Sequence, residues 1–310
     1  MSISVPTNST PALNAAIAQL EPVSGVHVEI ELELNSHTFV FMVEKWNQDR
    51  RFASNRFQIQ CVSNTQKLAA PYFAQRSKIF GAINAKQAAE GELQNTGFSL
   101  NWDTNVLPDW PIPAGAFSYQ YQTPIEVISR IAEAVGAVIV PSKNANQITI
   151  QPRLKVSPWA LAPNDAADVI IPHELIQSIG MDLQQGQVAD TILVSGVSHG
   201  VIASVTRDGQ PGNKPAPDVV DELITDQAAA LVRARQEIGQ SGKHALYDLS
   251  LPVPESAQAP GLILPGQVVE VQVNGQTDWK GYCIGTAINA PSSGNVALTQ
   301  TPKVVRLYDH

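Results

Sequence analysis

Apolar and polar residues alternate without interruption over residues 26–34, VHVEIELEL. A period of two residues places the two sets on opposite faces of a strand, so we expect a strand that buries its aliphatic face. The polar positions of this strand are His27, Glu29, Glu31 and Glu33. Strand-like runs follow at residues 37–46 and 56–63, and the first of these resembles the second half of a hairpin. The N-terminal third is therefore predicted to be β-rich.

Two further sequence patterns lie on either side of these strands. A short helix is predicted to start at Thr10, a good N-cap that is followed by proline at the first helical position. Three prolines in the stretch VLPDWPIPAG, residues 106–115, remove backbone donors and indicate an extended connector. We therefore predict a domain boundary near residue 115.

The clearest local pattern of the chain follows this boundary. Thr123 is a good N-cap, proline occupies the next position, and Glu126 completes a Thr-x-x-Glu capping box. The helix is predicted to end at Gly136, where a left-handed backbone conformation is needed. Its buried stripe is predicted to consist of Ile125, Ile128, Ala132 and Val135. Two strands, at 137–141 and 147–152, then form a hairpin.

The last third is predicted to form a second β domain, such as a small barrel. A helix that begins at Thr225 or Asp226 and ends near Gly239 precedes five strand candidates separated by Gly, Pro and Asn turns. The candidates are residues 244–253, 266–275, 278–288, 295–301 and 303–309. Asn274-Gly275 is the best hairpin turn among them.

The segment Gly196-Val197-Ser198-His199-Gly200 has the G-x-S-x-G spelling of a hydrolase nucleophile elbow. An elbow requires a strand before the serine and a helix directly after it. The residues that follow Gly200 are β-branched and are then broken by glycine and proline, which leaves no room for such a helix. We therefore interpret the segment as a turn between two antiparallel strands and predict no catalytic residues.

Composition narrows the function classes further. Charged residues make up 15% of the 310 residues, well below the ~25% of an ordinary soluble chain, which suggests that much of the surface contacts protein. The net charge is −8 and the longest basic run is Arg50-Arg51, so neither a nucleic-acid footprint nor a basic membrane face is visible. Residues 1–20 lack the pattern of a signal peptide, and we expect synthesis in the cytoplasm without membrane insertion.

Two cysteines, Cys61 and Cys283, are too few to build a metal or iron–sulfur site within one chain. Both lie in strand-like runs, where a buried free thiol is the ordinary outcome. We accordingly predict no metal site and no cofactor.

The order of elements over residues 115–290 is recognisable. A helix and hairpin are followed by a return strand, an Ala/Arg-rich helix, a Leu-Pro-Gly-x-Val-Val turn at Leu264–Val269, and a Gly-Tyr-x-Ile strand at Gly281–Ile284. This order resembles that of the tail-hub proteins of long-tailed bacteriophages, the baseplate-hub or late-control-D group, which is related to type VI secretion spikes.

The resemblance implies a mainly β (α+β) fold. Two tube-like β-barrel domains, residues 1–115 and 179–310, would flank a small helix-plus-hairpin α/β insert at 116–178. It also implies a non-enzymatic homotrimer in the virion, at the tail tip. Such a hub joins the tail tube or distal tail ring to the spike or central fibre, neighbours the tape measure protein, and surrounds the channel through which genomic DNA passes without sequence-specific binding.

This implied role suggests a function for the polar face of residues 26–34. Carboxylates give a polyanion nothing to bind, whereas each Lys or Arg facing the duplex would hold it. We therefore predict that His27, Glu29, Glu31 and Glu33 face the channel, with an ordinary solvated face as the simpler alternative.

Two alternatives from other classes remain open. A peptidoglycan- or glycan-processing tail enzyme would need a carboxylic acid of raised pKa opposite a second carboxylate. A carbohydrate-binding adhesion module would use Trp110, Tyr119 and Tyr121 as stacking platforms. The run AFSYQY suggests that Phe117, Tyr119 and Tyr121 share one strand face, which is more typical of a core or subunit contact.

Overall fold

The computed structural model describes residues 1–6, 20, 27–52, 54–161, 167–255, 259–275, 277–290 and 297–308. The helix predicted to start at Thr10 lies outside these residues. Within the described part, the chain is mainly β, as predicted, with strands that far outnumber its three α-helices.

The N-terminal residues form a four-stranded antiparallel sheet. Its strands are β1 (Ser2–Pro6), β2 (Glu29–Leu34), β3 (His37–Arg51) and β4 (Ser54–Ser63). They lie in the order β1-β4-β3-β2. The alternation predicted for β2 is confirmed, although its aliphatic side chains are half-buried rather than fully buried. Of these side chains, Ile30 packs against the cluster of Ile59 and Cys61, which are buried on the same face of the sheet.

A helix-containing unit follows the first sheet. A 3-10 helix at Asn64–Leu68 leads into β5 (Arg76–Ile79), β6 (Ile83–Asn84), α1 (Ala85–Glu92), β7 (Ser99–Trp102), β8 (Pro111–Ile112), β9 (Ser118–Gln122), α2 (Pro124–Ala134), β10 (Ala137–Pro141) and β11 (Gln147–Pro152). Strand β11 pairs with β10 antiparallel and with β7 parallel, while β5 pairs with β9 and β6 with β8.

The proline-rich connector is part of this unit rather than a linker. Its Leu107, Trp110 and Ile112 side chains are buried in one hydrophobic core with helices α1 and α2. The Trp110 indole N–H donates to the Leu223 carbonyl at 2.8 Å, so the connector is also tied to a distant segment. Residues on both sides of position 115 therefore share a single core. The prolines keep the backbone of the connector extended, but burial of its hydrophobic side chains places the connector in the core.

The capping box predicted at the start of α2 is confirmed. Both the backbone N–H and the hydroxyl of Thr123 donate to Glu126 Oε2, at 2.7 and 2.8 Å. These hydrogen bonds hold the pKa of Glu126 below its usual value. The predicted hairpin at 137–152 is also confirmed. The buried stripe of α2 is wider than predicted, because Val127 and Ile131 are completely buried whereas Ile125 is only half-buried.

The remaining elements form two sheets and a helix. They are β12 (Val169–Ile171), β13 (Ser178–Gln184), β14 (Thr191–Gly196), β15 (Ile202–Thr206), β16 (Val219–Asp221), α3 (Gln227–Gly239), β17 (His244–Pro252), β18 (Val268–Val271), β19 (Trp279–Asn289) and β20 (Thr299–Leu307), with 3-10 turns at Pro158–Ala160 and His173–Leu175. Six of these strands form a sheet in the order β12-β18-β19-β20-β17-β13, and three form the sheet β15-β14-β16.

Helix α3 packs on one face of the three-stranded sheet. The Asp226 side chain accepts a hydrogen bond from the Ala228 N–H at 2.8 Å, which confirms the predicted N-terminus. At the other end, the buried Arg207 guanidinium donates to the carbonyls of Ile238 and Ser241, at 3.1 and 3.3 Å. This buried arginine satisfies carbonyls that a helix C-terminus otherwise leaves without partners.

One predicted strand boundary is wrong. The two last strand candidates, at 295–301 and 303–309, are joined in the single strand β20, which continues through Pro302. Proline lacks a backbone N–H, and the pairing of β20 with β17 is interrupted beside it, between Lys303 and Gln300. Pairing with β19 on the other side is kept, since Pro302 lies opposite Thr286.

Candidate functional site

The acidic strand β2 belongs to a larger polar surface. In the antiparallel register, Glu29, Glu31 and Glu33 lie opposite Met42, Val40 and Thr38, and directly opposed residues point to the same side of a sheet. The same side carries a row of uncharged polar residues on β4 and β1, namely Gln58, Gln60, Ser2 and Ser4. We call this side the polar face. The other side carries the hydrophobic cluster around Ile59 and Cys61. Met42, which is completely buried, lies on the polar face itself.

The polar side chains on and next to β2 have different surroundings. Glu29 pairs with Lys67 and accepts a hydrogen bond from the Asn64 amide at 3.3 Å, so its charge is compensated. The side chains of Glu31 and Glu33 are exposed. The His27 ring meets Tyr72 edge-on, with 5.1 Å between ring centroids. Sequence reasoning placed all four residues on one face but missed the lysine, which comes from the 3-10 helix more than thirty residues later.

The polar face becomes basic toward the β3–β4 turn. Strand β2 pairs only with residues 37–42 of β3, so residues 44–57 extend beyond it as a hairpin arm. The register places Lys45, Arg51 and Arg56 on the polar side of this arm. Asp49 shares that side, opposite Arg56, and its Oδ1 lies 3.1 Å from Arg51 Nε. The Phe52 side chain at its tip is fully exposed. The arginines are separated in sequence by a turn, and only the pairing of β3 with β4 reveals that they cluster.

The G-x-S-x-G segment joins β14 to β15 as an antiparallel hairpin, which confirms the predicted turn. Ser198 and His199 are exposed neighbours whose Oγ and Nδ1 atoms lie 3.1 Å apart. The two glycines have separate structural causes. A Cβ on Gly196 would lie 2.0 Å from the Ile224 carbonyl oxygen, and Gly200 adopts a φ of +65°.

The aromatic platform proposed for carbohydrate binding is wrong. Trp110 and Tyr119 are buried, with 1% and 4% of their surfaces exposed. Phe117 is also buried, but Tyr121 departs from the shared face, with a φ of +52° and a largely exposed ring. The register of β5 with β9 shifts between Arg76 and Lys78, which breaks the two-residue alternation before Tyr121.

Both cysteines are buried free thiols, as predicted. Burial raises the pKa of each thiol above its usual value, which keeps both protonated at neutral pH. Among the described residues, no group of three or more His, Cys, Asp or Glu side chains is arranged to hold a metal ion. No helix in the same residues is long and apolar enough to span a membrane.

Solved structures share this fold over almost the whole chain. A tail protein from Neisseria meningitidis MC58 superposes with a TM-score of 0.63 at 10% identity, covering 89% of this chain and 83% of that one. The 43 kDa tail protein of prophage MuSo2 from Shewanella oneidensis gives 0.60 at 13% identity, covering 98% and 88%. Prophage tail protein gp18 from Listeria monocytogenes EGD-e gives 0.59 at 15% identity, covering 97% and 84%.

A component of a secretion system has a similar fold. The E. coli c3393 protein, a component of the type VI secretion system with structural similarity to the T4 bacteriophage tail proteins gp27 and gp5, superposes with a TM-score of 0.50 at 10% identity. The match covers 91% of this chain and 64% of that one. At the level of sequence, no protein-family model and no curated protein matches. The resemblance to tail and secretion-spike proteins is thus confirmed in the fold.

Proposed function

We propose that the chain is a structural component of a phage tail, a homotrimeric hub at the tail tip that joins the tail tube or distal tail ring to the spike or central fibre. It would be assembled in the host cytoplasm, become part of the virion and perform no catalysis. The tail-protein fold supports this proposal. The two-barrel architecture belongs to the same proposal.

The observation that carries the trimer is the edge strand β13. In the described part of the chain it pairs only with β17, and every one of its residues is exposed. Ile179, Met181 and Leu183 lie opposite the core residues Leu249, Tyr247 and Ala245 of β17. The hydrophobic face of the sheet therefore continues onto an uncovered edge. Such an edge is a template for pairing with another chain, and three copies close into a ring when β13 of each copy meets a different surface of the next.

Replacing Met181 by lysine is expected to weaken the trimer. The Met181 side chain is 57% exposed on this edge, and burying an ammonium group in a subunit contact is costly. Light scattering of the unchanged protein should show about 100 kDa, the mass of three 33.3 kDa chains, at high concentration. Met181→Lys should shift the distribution toward the monomer.

Val106→Lys is the matched control, because Val106 is exposed to a similar degree, 51%, in a loop. It should leave the association unchanged. A monomeric mass at every concentration, also in the presence of other tail proteins, would overturn the trimer. A trimer that tolerates Met181→Lys would instead reject the role of β13.

We further propose that the acidic end of the polar face lines the DNA channel of this hub. Glu31 and Glu33 carry the proposal, because their carboxylates are exposed and offer DNA no cation to bind. His27 and Glu29 would lie beside them. The hairpin arm, with its basic side chains and exposed Phe52, would reach a neighbouring tail protein instead.

Particles carrying Glu31→Lys with Glu33→Lys are expected to assemble but to eject DNA more slowly. The new ammonium groups would contact phosphates as the duplex passes, and the delay should shrink as salt is raised. Glu29 is left unchanged because it pairs with Lys67. Glu90→Lys with Glu133→Lys makes the same change of charge at two exposed helical positions and should not slow ejection. Equal ejection rates in both double variants would reject the channel-facing assignment.

A further inference from the structure

A polar cleft opens where the ends of β18, β19 and β20 meet residues 158–161. Its volume is about 540 Å³, the size of an ordinary small-ligand or short-peptide site. The residues that matter for its chemistry are Pro158, Leu161, Glu270, Trp279, Arg306 and Tyr308.

The guanidinium group of Arg306 is held in place by aromatic rings. Its Cζ atom lies 5.1 Å from the centroid of the Trp279 ring and 4.8 Å from that of Tyr308. These rings are themselves fixed, since Tyr247 packs on Trp279 at 4.4 Å and its hydroxyl lies 2.8 Å from that of Tyr308. Stacking orients the planar fork of an arginine without using up its N–H donors.

No carboxylate among the described residues balances the charge of Arg306. Within the residues that the structure describes, it forms no salt bridge, and its hydrogen-bonding side-chain contact is with Tyr308. The acidic groups of the cleft are engaged elsewhere. Glu270 lies 4.0 Å from Lys280, and Asp278 accepts a hydrogen bond from the Val273 N–H at 3.3 Å. The half-buried guanidinium group of Arg306 therefore faces the cleft in a fixed orientation, with N–H donors available to a ligand.

The surroundings of Arg306 distinguish among anions. A sugar acid would need an open aromatic face on which its ring could stack, but Trp279 is only 8% exposed beneath Arg306 and Tyr247. The ring of Tyr308 is more exposed, but Arg306 already lies over it at 4.8 Å. A nucleic-acid backbone would bring several phosphates close to Glu270 and Asp278, which is repulsive. A single carboxylate next to an apolar side chain avoids both problems, because Pro158 and Leu161 supply an apolar wall beside the arginine.

We propose that this cleft binds an acidic peptide segment of a partner protein, with one side-chain carboxylate on the Arg306 fork and a neighbouring aliphatic side chain against Pro158 and Leu161. Bidentate contact with a planar carboxylate is the interaction for which arginine is best shaped. The binding does not depend on the hub proposal, since it follows from the cleft alone.

The probe is the peptide N-acetyl-Leu-Glu-Leu-amide, titrated into the full-length chain while the indole N–H signal of Trp279 is followed by NMR. The same peptide with Gln in place of Glu is the matched ligand. We expect the Glu peptide to shift the Trp279 signal saturably and the Gln peptide to bind about tenfold or more weakly, since a charge-assisted hydrogen bond is lost. Raising the salt concentration should weaken only the Glu peptide.

Two variants locate the contact. Arg306→Gln should lose the preference for Glu over Gln, and Arg306→Lys should keep part of it, because it retains the charge but not the fork. Lys303→Gln removes a charge from the same strand, where the exposed lysine lies 3.9 Å from Asp248, and should have no effect. Thermal unfolding checks that each variant is folded.

Failure of both peptides to bind the unchanged protein would overturn the proposal, as would equal binding of the Glu and Gln peptides. Tighter saturable binding of glucuronate or inorganic phosphate at Trp279 would replace the peptide by that anion. None of these outcomes bears on the trimer, whose test is the mass in solution.

Discussion

Gly196→Ala is expected to lower the free energy of unfolding by about 3 kcal/mol, the upper part of the range for overpacking. The added Cβ would lie 2.0 Å from the Ile224 carbonyl oxygen and 3.2 Å from its carbon, both of them backbone atoms. Strand β14 and the segment before α3 would have to separate. The Gly196 N–H also donates to the Val201 carbonyl at 2.9 Å, so this movement strains the hairpin. Urea denaturation, read as a change of midpoint at constant slope, measures the loss.

Ser198→Ala is the control two residues away. The serine is exposed and its side-chain contact is with the adjacent His199, so we expect no change in stability, assembly or hydrolytic background. Equal unfolding midpoints for both variants would show that the close approach at Gly196 is unimportant. An esterase activity of the pure protein that disappears in Ser198→Ala would restore the nucleophile elbow.

Glu92→Ala is expected to cost about 3 kcal/mol, at the lower end of the range for breaking a buried ion pair. The carboxylate is 1% exposed and accepts from Arg76 Nη2 at 2.9 Å, Lys78 Nζ at 3.2 Å and the Tyr119 hydroxyl at 2.9 Å. It therefore ties the end of α1 to strands β5 and β9. Both cations are more than a third exposed and can turn to water, which keeps the loss below the maximum.

The loss of the hydrogen bond from Tyr119 adds to the destabilisation expected for Glu92→Ala. Burial, together with its hydrogen bond to Glu92, raises the pKa of Tyr119 to about 12, so the hydroxyl remains a donor that loses its acceptor in the variant. Glu90→Ala, at an exposed position of the same helix, is the matched control and should change the unfolding free energy by less than about 0.5 kcal/mol. Similar midpoints for the two alanine variants would show that the buried network contributes nothing net.

Interactions between residues close in sequence were predictable. The alternation of β2, the capping box of Thr123 with Glu126, the β10–β11 hairpin and the start of α3 at Asp226 depend on contacts two to a few residues apart. Helix caps and strand periodicity are encoded in such spacings. The order of these elements also sufficed for the resemblance to tail proteins, which the fold bears out.

Burial of the connector and of the aromatic residues could not be predicted in the same way. Three prolines indicate an extended backbone, but they do not indicate whether that backbone is exposed to solvent or buried in a hydrophobic core. Trp110 is buried in a core shared with α1 and α2, and Leu223, more than a hundred residues later, accepts its N–H. Tyr121 leaves the shared face because of a bulge in its pairing with β5, and a bulge has no signal in a two-residue pattern.

The sequence by itself determined the local elements, the strand face that carries Glu29, Glu31 and Glu33, and the turn at Ser198. Only the tertiary structure decided which strands are neighbours: β1 beside β4, β12 parallel to β18, and β13 alone at an edge. It likewise brought Lys67 to Glu29 and Arg306 between Trp279 and Tyr308. The physical reason is that long-range pairing is selected by the summed burial of all the strands and helices together, whereas periodicity and capping are selected within a single turn or strand.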